Sequence, residues 1–147
     1  MKSDAYEKAL DLIALADHSS RMMREKLIRK GYSREEVNEA VGRLCREGYI
    51  NDGKLLHSYV GFLANRKCYG RSRIRLASRE KFDAEIIENG LEEALEEQSF
   101  LENAVKYAEK YKGKGKDYMV RRLKYLGHST YDIITVVNEV FGKEDNE

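Results

Sequence analysis

Ala5, Ala9, Leu12, Ile13 and Ala16 return at the three- and four-residue spacing of a helix, and Met23 and Leu27 continue it. The same periodicity along the chain predicts nine helices, at 4–16, 20–30, 34–46, 54–67, 71–81, 84–98, 99–112, 117–126 and 130–141. Polar residues punctuate them. Ser19 is placed to cap the second helix and Gly31 to end it, while Ser33 with Glu36 forms a capping box that opens the third. Asn51 and Asp52 cap the fourth helix, and Ser129 with Asp132 repeats the box before the ninth. Residues 143–147 are polar and read as a frayed end.

The pattern is said three times. Residues 27–41 read L-I-R-K-G-Y-S-R-E-E-V-N-E-A-V, residues 123–137 read L-K-Y-L-G-H-S-T-Y-D-I-I-T-V-V, and residues 81–91 read K-F-D-A-E-I-I-E-N-G-L. Each has a pivot, then Tyr32, Phe82 or His128, then a capping residue (Ser33, Asp83, Ser129). Apolar pairs follow at Val37 and Val41, Ile87 and Leu91, and Ile133 and Val137. A period of about fifty residues marks stacked supersecondary units. The expected fold is therefore all-α: three tandem three-helix repeats, at 4–50, 51–98 and 99–142, forming an elongated, curved array within one domain. The middle repeat carries Lys81 where the others have Gly31 and Gly127, which puts its second helix out of register by one residue. Gly90 aligns with Ala40 inside a helix, and close helix approach is the expected reason.

Composition suits helices: there is no Pro and no Trp, and 36% of residues are charged. Cys45 follows Val37, Val41 and Leu44 on an apolar face and reads as core packing. Neither Cys45 nor Cys68 has a partner at ligand spacing, so no zinc site is expected, and two unpaired cysteines fit a reducing compartment. With no apolar targeting region and no run long enough to span a membrane, the chain reads as cytoplasmic. His18, His57 and His128 lie in different repeats, and no H-E-x-x-H, G-x-S-x-G or G-x-G-x-x-G occurs. The run Gly113-Lys114-Gly115-Lys116 lacks the other parts of a phosphate loop and reads as a flexible basic turn. No cofactor and no enzyme activity are expected.

Charge placement changes the picture more than its sum of +1. From 66 to 81 the chain holds Arg66, Lys67, Arg71, Arg73, Arg75, Arg79 and Lys81 against Glu80 alone, and from 83 to 102 it holds eight acidic residues and no Lys or Arg. The third repeat turns basic again, with Arg121, Arg122 and Lys124 among others. Arginines at 71, 75 and 79 form one stripe on a helix. Such a stripe can neutralise phosphates or meet an acidic protein, or it can match the acidic third helix of its own repeat. Tyr69, Tyr107, Tyr111, Tyr118 and Tyr125 lie among these cations; stacking on bases is one reading, and ordinary packing with the hydroxyl at the surface is favoured.

Several phrases, in order, resemble the RecX family, bacterial regulators of the recombinase RecA. They are Asp17-His18-Ser19, the 27–33 phrase, Glu47-Gly48-Tyr49-Ile50-Asn51-Asp52, Tyr59-Val60, Tyr69-Gly70-Arg71-Ser72-Arg73-Ile74-Arg75, and the closing helix at 127–137. The likeness runs from 5 to 142. This chain departs from the family pattern in lacking the K-G pivot of the middle repeat and in carrying Leu55-Leu56 where F-A is usual. The resemblance implies a curved helical array that binds along a RecA-type filament and inhibits its ATPase and strand exchange; the chain itself is expected to be a monomer. It also implies that the phrase from Tyr69 and Gly70 to Arg75 is the contact element. The candidate partner or DNA contacts are Arg66, Lys67, Tyr69, Gly70, Arg71, Arg73, Arg75, Arg79, Arg121, Arg122 and Lys124. A direct binder of single- or double-stranded DNA, built from helix-turn-helix-like units, and a scaffold for another protein are the alternatives.

Overall fold

The computed structural model describes residues 3–142, so the 143–147 tail lies outside the described residues. Within them the chain forms nine α-helices: α1 (Ala5–Leu15), α2 (Ser20–Arg29), α3 (Arg34–Arg46), α4 (Asp52–Asn65), α5 (Arg71–Lys81), α6 (Ala84–Glu96), α7 (Phe100–Lys110), α8 (Lys116–Tyr125) and α9 (Thr130–Phe141). The basic run before α8 is a short 3-10 turn, Lys112–Lys114. The fourth helix starts and ends two residues before its expected bounds, because the Asn51 side chain accepts the Lys54 N–H at 3.1 Å and opens the helix at Asp52.

Helices this short do not persist alone, so burial must hold them. They pack chiefly in threes, α1–α3, α4–α6 and α7–α9, around three apolar clusters. Met23, Leu27, Val37 and Leu44 fill the first, Leu56, Val60, Ile74 and Phe82 the second, and Met119, Leu123 and Val136 the third. Each fully buried side chain of this size contributes roughly 1.5–3 kcal/mol. The clusters are stitched together where Phe100 of α7 enters the second and Cys68, from the α4–α5 link, enters the third.

The second helices of the three units meet end to start. At the α5–α2 junction the Ser19 hydroxyl donates to the Lys81 carbonyl at 2.5 Å, and Arg21 donates to the Arg79 carbonyl at 2.7 Å. At the α8–α5 junction the Gly70 N–H donates to the Leu126 carbonyl at 2.7 Å, the Ser72 hydroxyl to the Gly127 carbonyl at 2.9 Å, and Arg73 to the Tyr125 carbonyl at 3.1 Å. In both places the positive end of one helix dipole faces the orphan carbonyls at the end of another. At the start of α8 the residue equivalent to Arg21 and Ser72 is Asp117, an acceptor in place of a donor.

The structure departs from the sequence expectations at Cys45, Gly90 and Asp83. Cys45 is exposed, not core; its sulfur lies 3.3 Å from the Ser20 hydroxyl at the edge of the first unit, because the buried stripe of α3 runs through Val37, Ala40, Val41 and Leu44. A Cβ added at Gly90 would meet its nearest neighbour, Leu56 Cδ2, at 3.5 Å, an ordinary contact, so close approach does not demand glycine there. The register shift in the middle unit is a shortened turn. Gly31 and Gly127 both adopt φ 96° after α2 and α8, whereas α5 runs through Lys81 and leaves in extended backbone at Phe82, with φ −125° and ψ 147°. Asp83 stands at the N-cap of α6 without capping; its carboxylate is held by Arg24 of the first unit instead.

Ser78 occupies the position of Leu27 and Leu123, is 0% exposed, and its hydroxyl has no hydrogen-bond partner. A buried unpaired hydroxyl costs about 1–3 kcal/mol. Ser78→Ala is therefore expected to stabilise the chain by about 1 kcal/mol and to raise the thermal midpoint by about 2–4 °C. A lowered midpoint in a thermal melt would mean the hydroxyl supports the fold.

Candidate partner-binding surface

The α4–α5 link decides what this surface presents. Cys68 takes φ 55°, a left-handed conformation rare outside glycine, and the Tyr69 N–H then donates to the Leu63 carbonyl at 3.0 Å. This turn drives Gly70 against the loop after α8. A Cβ at Gly70 would lie 2.3 Å from the Gly127 oxygen and 2.5 Å from the His128 nitrogen, and one at Gly127 would lie 2.6 Å from the Arg73 Cβ. Gly70, expected as a contact residue, is thus first a packing requirement.

From that junction α5 projects its arginines. The Arg73 guanidinium sits between two rings, 4.4 Å from the centroid of Tyr69 and 4.4 Å from that of Tyr125. Arg122 of α8 lies 5.1 Å from the Tyr125 ring, and its Nε donates to the Tyr107 hydroxyl at 3.1 Å. The result is a seam of alternating aromatic and cationic groups (Tyr69, Arg73, Tyr125, Arg122, Tyr107) that crosses from the second unit to the third. Tyr125 is 60% exposed, so packing alone does not account for it. The hydrogen bond from Arg73 lowers the Tyr125 phenol from its ordinary value, and the bond to Tyr107 raises Arg122.

The expected stripe is part free and part spent. Arg75 makes a two-pronged bond to Glu92 of α6, at 2.8 and 3.1 Å, which holds Glu92 below the usual carboxylate range and Arg75 above its own. That is the internal match with the acidic helix, hydrogen-bonded at Arg75, with the charges of Arg71 and Arg79 also favouring the Glu92 carboxylate. On either side Arg71 and Arg79 remain exposed, with Arg71 4.7 Å from the Phe100 ring. Arg66 and Lys67 are exposed just beyond the end of α4, with Lys67 6.0 Å from the Phe62 ring. Arg121 and Lys124 are exposed on α8, flanking Arg122. Tyr125, expected as ordinary packing, stands instead between two guanidinium groups. A signal for its place in the seam is its position two residues before Gly127, as Tyr69 stands immediately before Gly70.

Behind the seam, His128 is 7% exposed. Its Nε2 lies 2.7 Å from the Cys68 carbonyl, which can only accept, so that nitrogen carries the hydrogen. Burial lowers the His128 pKa and pushes the Cys68 thiol up to about 11. The two side chains are 3.8 Å apart, yet a thiol so reluctant to ionise, beside a ring nitrogen already donating, is not an activated nucleophile. Among the described residues no three His, Cys, Asp or Glu side chains converge to hold a metal ion, and no helix is long and apolar enough to cross a membrane.

Known proteins resemble this chain in sequence and in fold. A family profile described as RecX, first three-helix domain, matches residues 5–44. The regulatory protein RecX of Trichlorobacter lovleyi is 31% identical over 103 residues, covering 69% of this chain and 67% of that protein. This chain belongs to the RecX family. The regulatory protein RecX of Pseudomonas syringae pv. tomato is 32% identical over 102 residues, 69% of this chain and 60% of its own length. The matched stretch thus spans about 60% of that relative. The crystal structure of RecX from Lactobacillus salivarius superposes with a TM-score of 0.76 at 24% identity, over 93% of this chain and 94% of that one, and shares its fold. The RecX relatives are named regulatory proteins, and the all-α helical-repeat fold is common to the solved structures and this chain.

Proposed function

We propose that this RecX-family chain binds a RecA-type recombinase filament and inhibits its ATPase and strand exchange, acting as a monomer in the cytoplasm. The observation that carries the reading is the seam across α5 and α8, where half-buried Arg73 is clamped between Tyr69 and the exposed Tyr125, together with exposed Arg71 and Arg79 on another face of α5. Arg and Tyr are the residues in which binding energy concentrates at protein interfaces. A series of three-helix units offers such a surface an extended base, able to touch successive subunits of a filament. A regulator of this kind shifts a filament between states only by its difference in affinity for them.

The test is an ATPase titration with RecA on single-stranded DNA. Arg71→Glu combined with Arg79→Glu is expected to raise the concentration for half-inhibition at least about tenfold, since reversing charges at a matched interface costs more than about 1.4 kcal/mol. Both side chains are exposed, so the fold should survive; unchanged inhibition by a folded double variant would remove these arginines from the interface. No inhibition by the unaltered protein at stoichiometric ratios would defeat the proposal itself.

A second reading, direct DNA binding, is favoured by the same alternation of tyrosine and arginine, which suits stacking of unpaired bases. Affinity for DNA without recombinase would then fall steeply with salt. A filament presents both protein and DNA, so the two readings are compatible.

A further inference from the structure

We infer that the first three-helix unit is an arm hinged on a rigid body made of the other two, and that polar bonds from α2 to the end of α5 latch it. The two junctions differ in kind. Between the second and third units the joint is dry and locked. Phe100 and Cys68 are exchanged between the two apolar clusters, Tyr69 packs against both, and Gly70 meets Gly127 with no room for a methyl group. The first unit has no such joint. Among the described residues, every side chain that builds the first apolar cluster or packs against it lies between 5 and 50, and α1, α2 and α3 pack chiefly on one another. Units joined without a large apolar interface are expected to move relative to each other.

The link between the first two units changes hands at a single peptide bond. Ile50 is buried in the first cluster and its N–H donates to the Leu44 carbonyl, while Asn51 caps α4. Beside this bond, Ser20 donates from its backbone and its hydroxyl to the Asp52 carboxylate, at 2.7 and 2.6 Å, which marks the pivot. The latches lie farther along α2. Arg21 donates to the Arg79 carbonyl at 2.7 Å, and Arg24 to the Asp83 carboxylate at 2.5 Å. The Arg24 and Asp83 side chains are 31% and 37% exposed, so water competes for their ion pair and salt screens it. A cleft of about 210 Å³ opens between the units, with Asp17 and Tyr49 on one side and Lys54 and Ser58 on the other, and leaves the arm room to swing. The tyrosine and arginine seam sits wholly on the rigid body, so the arm turns without disturbing it. One adjustable joint lets the array follow the curvature of a filament; that consequence, unlike the hinge, rests on the proposed function.

The test reads two spin-label distances on the full chain by pulsed electron paramagnetic resonance, with Cys45→Ser in both samples and the buried, poorly ionised Cys68 left unlabelled. One pair spans the hinge, Asn38→Cys on α3 with Asn138→Cys on α9. The control pair lies within the rigid body, Glu88→Cys on α6 with Asn138→Cys. All three positions are exposed. The hinge pair is expected to give a distance distribution at least about twice as wide as the control. It should widen further when salt rises from about 0.1 M to about 1 M, which shortens the screening length from about 10 Å to about 3 Å. Asp83→Asn should widen it in the same way at low salt, and the control pair should respond to neither change. Equal widths in the two pairs, or a hinge pair indifferent to both salt and Asp83→Asn, would overturn the inference. These distances are read on the free chain, so they decide the hinge whether or not a filament binds. With RecA on single-stranded DNA added, the hinge pair should narrow to the control width; a pair that stays wide on a filament whose ATPase is inhibited would remove the arm from the contact.

Discussion

Replacing Gly70 by alanine is expected to cost at least about 3 kcal/mol, at or above the top of the usual range for overpacking, although it adds a single methyl group. The reason is what the methyl meets. The Gly127 oxygen at 2.3 Å, the Gly127 carbon at 2.4 Å and the His128 nitrogen at 2.5 Å are all backbone atoms, and none can rotate away as a side chain would. Making room means drawing α5 back from the loop after α8. That breaks the Gly70 N–H bond to Leu126 and the Ser72 bonds to Gly127, and exposes the carbonyl end of α8. Urea unfolding should show the lost stability, and amide exchange should quicken at Gly70 and Ser72 before the rest of α5. Gly127→Ala should cost a similar amount, through its φ of 96° and its 2.6 Å approach to the Arg73 Cβ. Because both substitutions force open one junction, the double variant should lose clearly less than the sum of the two. A Gly70→Ala protein within about 1 kcal/mol of the parent would show that the second and third units are not locked at this point.

Much of this fold was legible in the sequence, for a physical reason. The caps at Ser19, Ser33, Asn51 and Ser129 are local interactions between a side chain and the backbone three residues on, so the sequence alone carries them. The apolar pairs of the third helix in each repeat likewise announce which face is buried. What could not be read was whatever depends on two distant segments meeting. Asp83 looked like a cap by every local rule, and only the arrival of Arg24 explains why it is not one. Gly70 sits in a basic, partner-like phrase, yet its first duty is set by Gly127, which lies fifty-seven residues away (127 − 70 = 57). Cys45 continues an apolar run on paper, but the burial stripe of α3 ends at Leu44, where Ser20 and Asp52 of neighbouring helices bring polar groups to the edge. The arginine stripe was correctly seen as a stripe. Its division into a braced Arg75 and exposed Arg71 and Arg79 depends on where α6 places Glu92.

Phe82→Ala is expected to be the costliest of the core truncations in the middle unit, at about 3–5 kcal/mol. The homologous residues of the other units, Tyr32 and His128, are polar and tied by hydrogen bonds. The Tyr32 hydroxyl donates to the Ser3 carbonyl at 2.6 Å, and His128 donates to Cys68. Phe82 has no such tie for its side chain. It is 1% exposed, its ring centroid is 5.9 Å from that of Tyr59, and burial alone fixes its side chain at the corner where α5 gives way to α6. The middle unit has also dispensed with the glycine turn, so no preferred left-handed residue holds the exit once the ring is gone. The damage should spread toward the first unit. Lys81 and Asp83, on either side of Phe82, hold Ser19 and Arg24 of that unit, and Arg21 donates to the Arg79 carbonyl one turn earlier. Thermal melts and amide exchange should therefore show α2 losing protection together with α5, while α8 keeps its own. Phe82→Leu restores most of the volume and should cost no more than about 1.5 kcal/mol. A Leu variant as damaged as the Ala variant would mean that the aromatic contact with Tyr59, and not the filled volume, holds the corner.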